Sequence, residues 1–351
     1  MMDVREIEGW LLESAPECLA ALWAQADAVR RRWVGDEVHL RGLVEISNRC
    51  VRACAYCGLR AQNQGLIRYT MSAGEILDCA VRAAELGYGT VVLQAGEDPA
   101  LRADRVARIV RRIKSHTPLA VTLSLGERSD AELRLWRDAG ADRYLLRFET
   151  SDQELYRKIH PDLPGRASDR MRMLRYLRDL GYEVGSGVMI GIPGQDYGSL
   201  ARDIAAFQAM DLDMIGVGPY LPHPGTPLGT GWLPRRLPES RQVPATVEMA
   251  CKVVALARIV RPDANIPSTT ALATLDPEQG RELGLRRGAN VFMPNMTPQP
   301  YRGAYEIYPN KACIYEEARA CRPCLEKRIL GLGRTLGRGP GGRTRVEEIS
   351  K

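Results

Sequence analysis

The chain has 351 residues, of which 45% are hydrophobic, and its 49 basic and 43 acidic side chains give a formal net charge of +6. That length fits two or three average domains or one large α/β barrel. The arginines are spread along the chain, and no long uninterrupted apolar window occurs. Composition therefore argues against a nucleic-acid-binding surface and against a membrane span, while the mild basic excess favours small anionic substrates.

The N-terminal sequence MMDVREIEGWLLES has neither the basic segment nor the apolar core of a signal peptide. We therefore expect a cytoplasmic protein, in which the nine cysteines are metal ligands or core residues rather than disulfides. An apolar stripe over residues 3–34 predicts one or two helices. Residues 1–40 are expected to form an N-terminal helical extension.

Eight short apolar runs then follow, separated by helical patterns. They cover residues 42–47, 90–95, 120–125, 143–148, 183–192, 213–220, 264–271 and 289–294. Most of these runs are apolar on both faces, which is typical of parallel strands covered by helices. Eight alternating units predict the α/β class and a (β/α)8 TIM-type barrel over residues 41–310.

Start and stop signals delimit the helices between these strands. Serines followed three residues later by glutamate predict capping boxes at Ser72, Ser129 and Ser151. Glycines at the ends of helices predict left-handed C′ positions at Gly87, Gly140 and Gly181.

Two irregular regions complete the chain. Residues 221–246 are rich in Pro and Gly and follow the sixth strand, where loops of such barrels carry the active site. Residues 311–351 are predicted to form a C-terminal extension. Its Gly- and Arg-rich tail from Gly331 is expected to wrap the outside or to be mobile.

The strongest chemical signal is CVRACAYCGLR, in which Cys50, Cys54 and Cys57 are spaced C-x3-C-x2-C directly after the first strand. A disulfide needs two thiols and a closed metal site needs four ligands, so three thiolates leave one coordination position open. A zinc site would require a nearby histidine, and none lies in this loop. An iron–sulfur cluster with one open iron fits the pattern better.

This motif resembles that of the radical S-adenosylmethionine (SAM) superfamily. The resemblance implies a [4Fe–4S] cluster whose open iron holds SAM, and cleavage of SAM to a 5′-deoxyadenosyl radical. It also implies that SAM is contacted by Gln94, Gly96 and Glu97 in LQAGEDP, by Arg147 and Glu149 in LLRFET, and by Arg170. The alternatives are an ordinary βα loop for the first group and a mutual ion pair for Arg147 and Glu149.

Further segments, including GVMIGIPGQ, GVGPYLPHPGTPL and GANVFMPNMTP, resemble the HydE family of [FeFe]-hydrogenase maturases over about residues 40–330. Biotin synthase and methylornithine synthase share the barrel and the first motif. The resemblance implies action on an iron–cysteine precursor bearing CO and cyanide, with partner maturases and an electron donor. The implied substrate-lining residues are Thr269, Thr270, Met293, Tyr305 and Tyr308, for which packing is the alternative.

A second group, Cys313, Cys321 and Cys324, is spaced C-x7-C-x2-C. It resembles an auxiliary iron–sulfur cluster site found in some HydE proteins. Two other functions remain open at this stage. One is a HydE-like radical SAM enzyme that acts on a small organic molecule, by amino-acid mutase or thioether chemistry, and the other is a non-catalytic iron–sulfur carrier.

Overall fold

The structure is a computed structural model that describes residues 2–312 and 318–343, with side chains over 2–312 and 322–343. Within these residues no helix has the length and apolar character needed to cross a membrane. The helices are α1 Val4–Leu12, α2 Pro16–Val34, α3 Ala73–Glu85, α4 Ala103–His116, α5 Asp130–Asp138, α6 Gln153–Ile159, α7 Arg170–Asp179, α8 Tyr197–Ala209, α9 Val247–Val260, α10 Thr270–Leu275, α11 Gly280–Arg286, α12 Gln299–Arg302 and α13 Ala318–Gly331. The strands are β1 Glu37–Ser47, β2 Thr90–Ala95, β3 Ala120–Ser124, β4 Arg143–Leu145, β5 Glu183–Ser186, β6 Met189–Ile190, β7 Met214–Ile215, β8 Gly218–Pro219, β9 Val291–Phe292 and β10 Thr335–Leu336.

The strands form a parallel barrel, as predicted. Strands β1, β2, β3, β4, β5 and β7 are neighbours in chain order, and β9 pairs with the other edge of β1. Single bridges from Met214 to Asn265 and from Pro267 to Val291 close the gap between β7 and β9. A TIM-type fold places the carboxyl ends of all these strands, and hence the loops after them, at one mouth.

The predicted strand over 264–271 is wrong in its extent. The chain contributes only the bridges at Asn265 and Pro267, and α10 begins at Thr270. Pro267 has no N–H to donate to a ladder, and the Thr269 hydroxyl accepts from the backbone N–H of Leu272 as a helix cap. The segment therefore changes from strand to helix after three residues.

The predicted strands 183–192 and 213–220 are each divided in two. Strands β6 and β8 pair only with each other, in a separate small sheet beyond β5 and β7. A Cβ atom at Gly187 would lie 1.8 Å from the backbone O of Gly216. The two chains can approach this closely only because a glycine stands there, and the ladder is interrupted at this crossing.

The predicted caps are largely confirmed. Ser72 and Ser129 form complete capping boxes. The prediction at Ser151 is wrong, since the N-cap of α6 is Asp152, whose carboxylate accepts from the Leu155 N–H, and the Ser151 hydroxyl donates to Asp203. The three predicted C′ glycines all have positive φ values, which lie between 73° and 102°.

The N-terminal region forms two helices that pack on the outside of the barrel, α1 against α8 and α2 against α9. The division into an extension over 1–40, a barrel over 41–310 and a second extension over 311–351 stays a prediction.

The structure describes the tail after α13 only up to residue 343, and residues 335–343 cover the amino-terminal end of the barrel. Strand β10 pairs with the start of β1. The Gly341 carbonyl accepts from Arg41 Nη2 at 3.0 Å, and Arg343 pairs with Asp213 at 2.9 Å and Asp263 at 2.7 Å. The glycines here permit close packing rather than mobility, with Gly341 at a φ of 58°.

Candidate active site

The three cysteines of the motif lie on the loop after β1 and line one cavity of about 240 Å³ at the barrel mouth. Gly96 holds this loop against the end of β2, since a Cβ atom there would lie 2.4 Å from Arg49 O and 2.7 Å from Cys50 Cβ. The Glu97 backbone N–H donates to Cys50 Sγ at 3.4 Å, and the Val51 N–H donates to Glu97 O at 3.1 Å. A backbone donor aimed at a thiolate stabilises its negative charge.

Two polar side chains fix the rest of the loop. Asn48 donates its amide to the carbonyls of Ile67 and Ala304 at 2.8 and 2.7 Å. Arg68 donates to four backbone carbonyls of the loop, those of Asn48, Leu59, Arg60 and Asn63. The cysteines are thus presented by a rigid segment rather than by a mobile one.

The three thiols are suited to a cluster rather than to a single metal ion. Four ligands around one zinc ion bring their donor atoms within about 4 Å of one another. Among the described residues, only Glu97, Glu127 and His160 have ligand atoms that all lie within 4.8 Å, so the three sulfurs are more widely spaced. Burial raises the pKa of the Cys54 thiol well above its usual value and that of Cys57 to about 12, so binding iron must displace these protons.

Two arginines fill the group formed by Glu97, Glu127 and His160, which is therefore no metal site. Arg52 Nε lies 2.7 Å from Glu97 and its Nη2 lies 2.8 Å from Glu127. Arg170 Nε lies 3.0 Å from Glu127, and Arg170 Nη2 donates to His160 Nε2 at 2.6 Å. Burial, helped by the two guanidinium groups, lowers the pKa of His160 to about 2, so this ring is neutral and accepts.

This network orients Glu97 beside the cysteine loop. The Glu97 carboxylate also accepts from the backbone N–H of Glu127 at 3.0 Å. Arg170, a predicted SAM contact, lines the mouth cavity and donates its Nη1 to the Arg147 carbonyl at 2.6 Å. Its guanidinium group is thus already held on three sides.

Arg147 and Glu149 lie just beyond the end of β4, which stops at Leu145 and not at 148 as predicted. They form the mutual ion pair considered as an alternative, with Arg147 Nη2 2.9 Å from Glu149 Oε2. Arg147 Nε is buried and has no hydrogen-bond partner among the residues that the structure describes. Glu149 has a φ of 64°, a left-handed conformation that costs a non-glycine residue about 1–3 kcal/mol and often marks a functional site.

A second cavity, of about 180 Å³, continues into the barrel and shares Gln94, Arg147 and Tyr308 with the mouth cavity. Its walls include the predicted substrate residues Thr269, Thr270 and Met293. Tyr305 lines the mouth cavity only. The structure therefore brings all the predicted SAM and substrate residues to two connected spaces along the barrel axis.

The charged residues of the inner cavity were not predicted. Lys311 donates to Glu45 Oε1 at 2.6 Å and to the Tyr305 carbonyl at 2.9 Å, and both charged side chains are buried. Arg41 also lines this cavity, and burial near Arg143 lowers its pKa to about 9. Of the three cations that line the inner cavity, Lys311 pairs with Glu45 and Arg147 with Glu149, whereas Arg41 has no carboxylate partner among the described residues. The cavity therefore carries a small excess of positive charge.

Other residues of the site were also missed. The site is held together by Arg52, Glu127 and His160. Tyr220 lines the mouth cavity, and its buried hydroxyl has no hydrogen-bond partner within the described part of the chain. Glu127 lies two residues after the third predicted strand, in the segment LSLGERS, which resembles the HydE family, but nothing in that segment marked its carboxylate as a site group. Tyr220 lies in the segment GVGPYLPHPGTPL, but nothing there marked its hydroxyl as a site group, and His160 belongs to none of the family motifs.

The predicted auxiliary site is only partly covered by the described residues. Cys313 lies outside them, and so does the side chain of Cys321. Cys324 is exposed on α13. The remaining cysteines lie in helices, with Cys79 and Cys251 buried in the core and Cys18 half-buried.

Comparison with known proteins identifies the family. Residues 44–206 match the Radical SAM superfamily. The [FeFe] hydrogenase maturase subunit HydE of Thermotoga maritima is 47% identical over 93% of this chain and 90% of that protein. The 3-methylornithine synthase of Methanosarcina acetivorans is 30% identical over 80% of this chain and 75% of that protein.

Solved structures agree on the fold. The crystal structure of methylornithine synthase (PylB) superposes with a TM-score of 0.79 at 25% identity, covering 96% of this chain and 95% of that one. The hydrogenase maturase HydG from Carboxydothermus hydrogenoformans gives 0.74 at 20% identity, covering 94% and 74%, which supports the fold alone. With the open three-cysteine loop at its mouth, this barrel belongs to the HydE family of radical SAM enzymes.

Proposed function

We propose that the chain cleaves SAM reductively and uses the resulting radical in the maturation of [FeFe] hydrogenase. The observation that carries this proposal is the 47% identity to a HydE subunit over 93% of the chain, which includes the open cysteine loop. Cys50, Cys54 and Cys57 hold the [4Fe–4S] cluster, which supplies the electron that breaks a carbon–sulfur bond of SAM when both are bound. The chain's own side chains bind and orient SAM and the substrate.

Different residues around the cysteine loop are proposed to bind different parts of SAM. Glu149, held in a fixed left-handed conformation, is suited to accept from the two ribose hydroxyls. Arg147 carries an unpartnered buried Nε and is the best-placed cation for the SAM carboxylate. Arg170, already bonded to Glu127, His160 and the Arg147 carbonyl, holds these groups in place. Gln94, Gly96 and Glu97 close the wall beside Cys50.

The inner cavity is proposed as the substrate site. Its excess of positive charge, from Arg41 beside the Lys311–Glu45 and Arg147–Glu149 pairs, favours a small anion, such as an iron–cysteine complex bearing CO and cyanide. Thr269, Thr270 and Tyr308 offer hydroxyl groups, and Met293 an adaptable apolar wall. Partner maturases deliver this substrate and take the product, and a reduced carrier protein supplies electrons. Cys313, Cys321 and Cys324 remain proposed ligands of an auxiliary cluster.

Maturation in an extract tests the proposal. Apo-hydrogenase in an extract that lacks its native HydE should gain hydrogen-evolving activity when this chain is added with SAM. The Cys57→Ala variant, expressed and purified in the same way, should give none. Equal activation by both proteins would contradict the assignment.

One specific observation favours a second function, namely action on a small amino acid. A 3-methylornithine synthase is 30% identical over 80% of the chain, and PylB has the same fold. If the chain fails to mature hydrogenase but forms 5′-deoxyadenosine in stoichiometric coupling to an amino-acid product, this second function replaces the first.

A further inference from the structure

We infer that the outer face of the cysteine loop is the docking surface for an acidic one-electron carrier protein. We call this surface the donor face and define it as Arg49, Val51, Arg60 and Ile67. The inference rests on the proposed function, because each reductive cleavage of SAM consumes one electron. The carrier loses that electron and the cluster gains it, and no proton or group is transferred between the two proteins.

The charge of this region is one-sided. Residues 46–74 contain four arginines and no Asp, Glu or Lys. Arg52 is buried against Glu97, and the Arg68 guanidinium group donates its hydrogen bonds to backbone carbonyls. These two arginines therefore stabilise the loop rather than offer charge to a partner. Arg49 is exposed and Arg60 half-exposed, and within the described residues neither pairs with a carboxylate. An acidic partner would therefore be steered to this face.

The same face exposes large aliphatic side chains. Ile67 is 82% exposed and Val51 is 39% exposed. The two segments that carry them run side by side, since Asn48 donates to Ile67 O at 2.8 Å and the Ala61 N–H donates to Arg52 O at 2.8 Å. Exposed apolar groups among arginines are the composition of a protein–protein interface.

The position of the donor face beside the cluster ligand Cys50 indicates which kind of protein binds there. Arg49 and Val51 flank Cys50, a cluster ligand that is itself half-buried, so a protein docked here lies directly over the cluster. Redox partners form small, transient complexes that rely on charge steering. An acidic carrier that binds weakly, delivers one electron and leaves is therefore the occupant that the surface fits.

Direct binding tests the inference without turnover. Calorimetry would use the reconstituted full chain and an oxidised, acidic bacterial-type ferredoxin as the probe. The double variant Arg60→Glu/Ile67→Glu should raise Kd about tenfold or more, and wild-type Kd should rise with salt. The control Arg286→Glu/Leu330→Glu, which adds the same charges on exposed sites elsewhere, should stay within about twofold. Equal Kd values for the two double variants would overturn the inference.

A second measurement separates docking from chemistry. The donor-face variant should form 5′-deoxyadenosine several-fold more slowly than wild type with reduced ferredoxin, but at an unchanged rate with dithionite, which needs no docking surface. An equal loss with both reductants would overturn the inference. Absence of cleavage by the wild-type protein with dithionite would contradict the proposed function instead, and the binding comparison would still decide the docking surface.

Discussion

Replacing Gly96 by alanine should weaken cluster binding through one steric contact. The added Cβ atom would lie 2.4 Å from Arg49 O, and Cβ atoms essentially never come closer than 3.0 Å to such an atom. The end of β2 and the cysteine loop must therefore separate by about 0.6 Å, the difference between these distances. The displaced backbone carries Cys50 directly, and Cys50 Cβ is itself only 2.7 Å from the added atom.

Overpacking of this kind costs about 1–3 kcal/mol. If that cost falls on the loop conformation that binds the cluster, the equilibrium shifts by about 5- to 150-fold. After anaerobic reconstitution, the Gly96→Ala variant should hold less iron and sulfide per chain than wild type and lose its cluster faster to a chelator. Formation of 5′-deoxyadenosine should fall in proportion to cluster content.

The matched control is Gly303→Ala. Gly303 has helical dihedral angles, and a Cβ atom there would meet nothing within 4 Å. This control should reconstitute like wild type. If Gly96→Ala also bound a full cluster and released it at the wild-type rate, the close approach of β2 would not be what positions Cys50, and the reasoning would be refuted.

Three further predictions concern the charged groups. Lys311→Met should destabilise the apo-protein by about 3–5 kcal/mol in urea unfolding, because it leaves the buried Glu45 carboxylate without its cation. The double variant Glu45→Gln/Lys311→Met, which also removes that carboxylate charge, should recover at least half of the lost stability. His160 has a pKa of about 2 in the folded protein but about 6.5 when unfolded. Below pH 6.5 the unfolded chain therefore binds a proton that the folded chain does not. The free energy of unfolding consequently falls as the pH is lowered, by up to about 1.4 kcal/mol per pH unit. His160→Gln should flatten that slope in urea unfolding between pH 6.5 and 4.5, and His116→Gln, on an exposed residue, should leave it unchanged. Arg343→Ala should lower stability by about 1.5–3 kcal/mol, because the buried Asp213 and Asp263 carboxylates lose this charged hydrogen-bond partner but keep Arg178 and Arg261. A melting temperature equal to that of wild type would show that the tail does not stabilise the amino-terminal end of the barrel.

Sequence predicted the fold well where long apolar runs made the strands. The run at 90–95 matches β2 residue for residue, and the barrel closes with the predicted number of chain passes. Prediction failed where few residues form a strand, as at 264–271, because a proline and a capping threonine decide the geometry there. It also did not indicate where residues 335–343 pack, because their glycines serve close contacts that only the folded barrel brings together.

The candidate site also contains residues that could be predicted from sequence and residues that could not. Motifs of clustered residues predicted the cysteine loop and the site residues after β2 and β4. Pairs of residues from distant parts of the chain could not be predicted. Glu45 and Lys311 are 266 positions apart, and although Glu45 lies in a predicted strand just before the cysteine motif, nothing indicated its partner. From sequence, Arg52 was only a residue between two cysteines, and its partner Glu127 comes from the loop after β3. Such contacts follow from barrel closure and cannot be inferred from local spacing.

Paramagnetic resonance of the reduced protein tests most directly whether one iron is left for SAM. With SAM labelled at the amino nitrogen or carboxylate oxygen, the spectrum of wild type should change on binding and show hyperfine coupling to the label. An identical spectrum with and without labelled SAM, at full cluster occupancy, would mean that the polypeptide leaves no iron open and would contradict the account.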